Sequence, residues 1–72
     1  MQIGIISSLV RDREYGKIKV DNDKTAHFHK NCLWDVSFDQ LMEGQEVEFE
    51  LQQSYKGFLA FHIRLHNEAR LH

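Results

Sequence analysis

The sequence predicts an all-β fold, five short strands closed on themselves as a small antiparallel barrel. Three observations carry this prediction. Apolar and polar residues alternate with a period of two in several runs, Gly, Asn and Asp fall between the runs, and 72 residues hold one domain only. Five short strands cannot cover both faces of an open sheet, so closure into a barrel is the economical arrangement, and it removes most exposed edges.

Ile3–Leu9, largely apolar, supplies the first strand. In Tyr15–Val20 the residues Tyr15, Lys17 and Lys19 alternate with Gly16, Ile18 and Val20, the pattern of a strand with one face buried. Asp21-Asn-Asp23 provides turn residues. Lys24–His29 resumes the alternation, Ala26 and Phe28 on one side and His27 and His29 on the other, so the two strands read as a hairpin. Ser37-Phe-Asp-Gln40 has capping-box spacing and precedes Leu41-Met42, enough for about one helical turn. After the turn Glu43-Gly-Gln45, Glu46–Leu51 shows the clearest alternation, with Val47, Phe49 and Leu51 inward and three glutamates outward. Lys56-Gly57 turns the chain into a last apolar run, Phe58–Ile63. Ile6, Ile18, Phe28, Val47, Phe49 and Leu51 form the predicted core, joined by at least one of Phe58 and Phe61. An OB-type barrel fits this order of elements, with an SH3-like barrel as the rival. The domain is expected over residues 1–66, followed by a flexible tail at 67–72.

Composition narrows the function classes. Hydrophobic residues at 42% and charged residues at 28% exclude a disordered chain, and no apolar run approaches the ~18 residues of a membrane span. The apolar start lacks a basic region before it, so no secretory signal is read and the cytoplasm is the expected location. Cys32 is the single cysteine and has no internal disulfide partner, which leaves folding to packing. Net charge is −2, but its distribution is uneven. Residues 11–30 hold Arg11, Arg13, Lys17, Lys19, Lys24 and Lys30 against Asp12, Glu14, Asp21 and Asp23, a mild positive excess, whereas residues 31–55 hold Asp35, Asp39 and four glutamates without one Lys or Arg. An anionic ligand would approach from the basic side.

Five segments, Gly4-Ile-Ile6, Arg13-Glu-Tyr-Gly-Lys-Ile18, Ala26-His-Phe-His29, Glu43-Gly-Gln-Glu-Val-Glu-Phe49 and Lys56-Gly57, stand in the order and spacing of a known pattern. That pattern runs Gly-x-Val-Lys-Trp-Phe-Asn, Lys-Gly-Phe-Gly-Phe-Ile, Val-Phe-Val-His-Phe, Glu-Gly-Gln-x-Val-x-Phe and Lys/Arg-Gly-Pro. From about residue 3 to residue 65 the chain resembles the cold-shock domain. The resemblance implies an OB-fold barrel without catalysis, whose second and third strands carry an aromatic face that stacks the bases of single-stranded RNA or DNA. Such stacking contributes about 1–3 kcal/mol per base without reading sequence, and nearby cations neutralise phosphates.

Position by position, the resemblance gives Tyr15, His27 and His29 stacking roles, Arg13 and Lys56 basic roles, and Phe38 the role of a loop aromatic. Lys17 and Lys30 stand where the pattern has phenylalanines and are candidates for phosphate contacts. Ser7 and Ser8 replace Lys-Trp, and Leu9 and Val10 replace Phe-Asn, so the stacking platform is depleted. Trp34 and Phe58 are additional candidates for a relocated ring, although Trp34 reads first as a cap on the barrel. His27 and His29 with Cys32 suggest a zinc site only weakly, because structural zinc takes four ligands in short-spaced sets; no metal or other cofactor is expected. Partly protonated histidines would instead strengthen base binding in mild acid. No spacing argues for a nucleophile elbow, phosphate loop or carboxylate pair, so an enzyme is not expected. The preferred partner is single-stranded RNA or DNA, held by a monomer. The alternative is a protein-interaction or dimer module that uses strand 58–63 and the acidic 43–50 face.

Overall fold

The computed structural model describes residues 2–66, and the 67–72 tail lies outside the described residues. Every alternating run becomes a strand: β1 (Gln2–Val10), β2 (Tyr15–Lys19), β3 (Thr25–His29), β4 (Glu46–Ser54) and β5 (Gly57–Leu65). They close into a barrel in the order β1-β2-β3-β5-β4. The strands are longer than the clean alternation at β4 and β5, where nine residues each are paired through the Ser54–Gly57 turn. Between β3 and β4 the chain makes two 3-10 turns, Lys30–Cys32 and Phe38–Gln40. Among the described residues no helix is long and apolar enough to cross a membrane.

One expectation is corrected. The barrel is not wholly antiparallel, because β3 and β5 pair in parallel through Ala26–Phe58 and His27–Leu59. The reason is parity. Directions can alternate around a closed ring only if the number of strands is even, and with five one neighbouring pair must run the same way. The four antiparallel pairs, β1–β2, β2–β3, β1–β4 and β4–β5, leave β3–β5 as that pair.

Ile6, Ile18, Leu41, Val47, Phe49 and Ile63 are fully enclosed in the core, with Ala26, Phe28, Phe38 and Ala60 beside them. Leu51, expected in the core, is half-buried and packs against it from the rim. Two local departures from regular pairing shape the outer surface. Between Ile6 and Ser8 the register of β1 against β2 shifts. In β5, His62 and Ile63 together oppose Phe49, and His62 takes φ 54°, so a bulge returns Ile63 to the core and leaves Phe61 outside.

Gly16 lets the hairpin lie flat on the core. A Cβ there would meet the Ser8 carbonyl oxygen at 2.6 Å and the Phe28 ring at 2.8 Å, so only glycine admits the Phe28 ring beneath β2. The turn that leads into β2 closes with the Glu14 N–H donating to the Val10 carbonyl at 2.8 Å. Glu14 itself sits at φ 59°, the left-handed region, where the cold-shock pattern places glycine.

Candidate nucleic-acid interface

Strand alternation turns the odd-numbered residues of β2 and β3 outward, and the hairpin register pairs Tyr15 with His29 and Lys17 with His27. The Asp21 carboxylate fixes this register from the turn, accepting from the Asp23 and Lys24 N–H groups at 2.9 and 3.1 Å. The parallel contact to β5 then sets Leu59 beside His27 on the same face. Phe61 lies two residues further on. The result is an open, almost wholly apolar hollow of about 450 Å³ lined by Tyr15, His27, Phe28, His29, Cys32, Leu59 and Phe61.

His29 is not a free ring. Its Nδ1 accepts the Asn31 N–H at 3.4 Å and caps the 3-10 turn that follows β3. This bond orients the imidazole and leaves Nε2 at the surface. His27 is exposed between Lys17 and Leu59.

The cations surround this face in two different states. Arg13 lies exposed in the turn at the Tyr15 end, Lys17 is exposed on β2, and Lys56 is exposed in the β4–β5 turn at the other end. None of these three forms an ion pair among the described residues. Lys30, by contrast, is held by Glu14 at 2.7 Å, and that hydrogen bond raises its ammonium above the usual 10.5. Lys30 is thus committed to a carboxylate, unlike the other three.

Three aromatic expectations change. Phe38 is 5% exposed and belongs to the core, its ring 6.4 Å from that of Phe28. The turn it opens is fastened by Gln40, whose Oε1 accepts the Ser37 N–H at 3.0 Å, and Arg11 covers the ring while donating to the Leu41 carbonyl at 2.7 Å. Phe58 pairs inward beside Ala26, packs against the core and lies under the Lys24 ammonium, so it offers no open ring face. Trp34 does not cap the barrel, since it is 54% exposed.

Leu59 and Phe61 are the members that sequence reasoning missed as face residues. A signal was present: Phe58–Phe61 is apolar at every position, whereas a strand with one wet face alternates. An all-apolar run leaves hydrophobic side chains on the outer surface of the barrel, and that surface is this hollow.

No family model matches the chain. The cold shock protein CspB of Geobacillus stearothermophilus is 33% identical over 57 residues, which cover 79% of this chain and 86% of that protein. CspB of Bacillus caldolyticus gives the same identity and coverage. A cold shock-like protein of Thermotoga maritima is 37% identical over 51 residues, covering 71% of this chain and 77% of its own length. Identity at this level across most of both chains, on a five-stranded barrel with the expected hairpin, places the chain in the cold-shock protein family.

Proposed function

We propose that this chain binds single-stranded nucleic acid, RNA foremost, with little sequence selectivity, on the outer face of β2, β3 and β5. The observation that carries the reading is the apolar hollow framed by Tyr15, His29 and Phe61, with Arg13, Lys17 and Lys56 around it, none of them in an ion pair among the described residues. An unstacked base has two apolar faces and a polar edge, so it gains by lying on such rings while its phosphates meet the cations. A protein surface would find less here, because a hollow this small buries far less than the area of a stable interface. The role needs no bond-making group.

The test is a titration with oligonucleotides of about seven nucleotides, within the 4–16 nucleotides of OB-fold sites. Affinity should fall as salt rises, with a log–log slope of about −0.7 for each phosphate neutralised, so one phosphate on each of Arg13, Lys17 and Lys56, which form no ion pair among the described residues, gives a slope near −2. Absence of binding at low salt, or a slope near zero, refutes the reading; sedimentation as a dimer without oligonucleotide binding would favour the interaction module instead.

A further inference from the structure

A second hollow, of about 480 Å³, adjoins the first, and Cys32 and Phe61 line both. Its far wall is Trp34. This residue is fixed at its backbone and its ring is held by two neighbours. The Trp34 backbone N–H donates to the Ile63 carbonyl at 2.7 Å, and Leu33 bridges in parallel to Ile63, so the segment after the first 3-10 turn is stitched to β5. The His62 ring meets the indole edge-on with centroids 5.9 Å apart, and the Arg64 guanidinium lies 5.3 Å from the ring centroid. Arg64 does not line the hollow, so it supports the indole from outside and leaves the hollow side open. An exposed tryptophan fixed in this way has little side-chain entropy left to lose when something stacks on it.

We propose that this cleft is a nucleobase subsite distinct from the β2–β3 face, with Trp34 as its stacking ring and Glu50 as its selective contact. The proposal rests on the function argued above, since it extends the same strand from one hollow into the next across Phe61. Charge determines which part of the nucleotide enters. Glu50 stands in the wall, paired with His62 at 3.2 Å, and its carboxylate repels a phosphate but tolerates a neutral base. A carboxylate only accepts hydrogen bonds, so it favours a base edge with an exocyclic amino group, as cytosine presents, over the carbonyl that thymine presents there. The cleft size lies within the ~300–1,000 Å³ of small-molecule sites.

Trp34 is the only tryptophan, so its emission reports this cleft and nothing else. The experiment titrates the protein with oligo(dT) of about seven nucleotides and with variants that carry one cytosine at each position in turn. Binding should quench Trp34 emission. One cytosine position should bind roughly fivefold more tightly than thymine there, the worth of about 1 kcal/mol. Trp34→Leu should weaken binding about tenfold, Trp34→Phe should recover most of that loss, and Glu50→Gln, whose amide no longer repels the strand and can donate to the thymine carbonyl, should abolish the cytosine preference by raising oligo(dT) affinity toward that of the cytosine variant. Trp34 is exposed, so unchanged thermal unfolding of the Leu variant serves as the folding control. Emission that stays constant at saturation, while Tyr15→Ala still weakens binding, overturns the subsite and leaves the face standing. A cytosine preference that survives Glu50→Gln overturns the role of the carboxylate. Failure of every oligonucleotide to bind overturns both readings together.

Discussion

The two strands that flank the β2–β3 hairpin offer opposite surfaces. β1, paired to β2, presents Ile3, Ile5 and Ser7 outward, with Ser8 beside Lys17, and carries no ring where the cold-shock pattern has Lys-Trp and Phe. β5, paired to β3, presents Leu59 and Phe61, and its bulge keeps Phe61 on the surface while returning Ile63 to the core. A hairpin in a closed barrel has two neighbours, and aromatic surface lost beside one strand can be supplied beside the other. Counting rings along the first three strands therefore underestimates the apolar outer surface, since the parallel β3–β5 contact brings in residues more than thirty positions away in sequence.

The largest test of this contrast is truncation on each flank. Phe61 forms a wall of both hollows, so Phe61→Ala should weaken oligonucleotide binding by nearly the full value of a stacked base, ~2–3 kcal/mol or roughly a hundredfold. Ser8→Ala on the opposite flank should leave affinity unchanged. Both variants are read by the same titration at low salt, with thermal unfolding as the control for folding. Equal affinities for the two would mean that β5 is not part of the binding face.

The same contrast separates what could be read in the sequence from what could not. Period-two alternation made β2, β3 and β4 visible, because each has one face in the core and one in water, and the outward positions of Tyr15, Lys17, His27 and His29 followed directly. The capping residues Ser37 and Gln40 marked the second 3-10 turn, but the burial of Phe38 depends on where that turn docks against Phe28, a contact local sequence does not encode. Phe58 and Phe61 could not be assigned to faces by parity alone, because the bulge at His62 resets the count within the strand. Trp34 was misplaced for a similar reason. Its position depends on a bridge from Leu33 to Ile63, thirty residues on, that extends the parallel contact past the end of β3. Local patterns thus revealed which hairpin residues face outward on the candidate face, and the pairing that closes the barrel determined its other residues.

A smaller effect sharpens the electrostatic side of the hairpin. Glu14 occupies a left-handed position at φ 59° and holds Lys30 at 2.7 Å, so one residue both strains the turn and occupies a cation. Left-handed backbone costs a side-chain-bearing residue about 1–2 kcal/mol, and glycine avoids this at an entropic cost of about 0.5–1 kcal/mol. Glu14→Gly should raise stability by about 0.5 kcal/mol and release Lys30. The salt slope of binding should steepen by about 0.7, one further phosphate neutralised. A slope identical to that of the parent protein would show that Lys30 points away from the bound strand whether or not it is paired.

The smallest effect lies behind the β5 flank. Glu48 accepts from His66 at 2.8 Å and from Arg64 at 3.3 Å, and thereby fixes the guanidinium that supports Trp34. The His66 contact foremost holds the Glu48 carboxyl below its ordinary 4.5; burial, the next influence in size, pushes it back up, and Arg64 adds smaller downward pulls. A carboxyl whose value is lower folded than unfolded adds stability that is complete above the unfolded value and disappears as pH falls through the folded one. Wild type should therefore unfold at a slightly higher temperature than Glu48→Gln near neutrality, and the gap should close in acid, below 4.5. The measurement is a series of thermal unfolding curves for both proteins from about pH 7 to about pH 3. A gap that persists unchanged to the acid end would mean that Glu48 acts through its shape and not its charge. Arg64 would then need another anchor to keep its place over the indole.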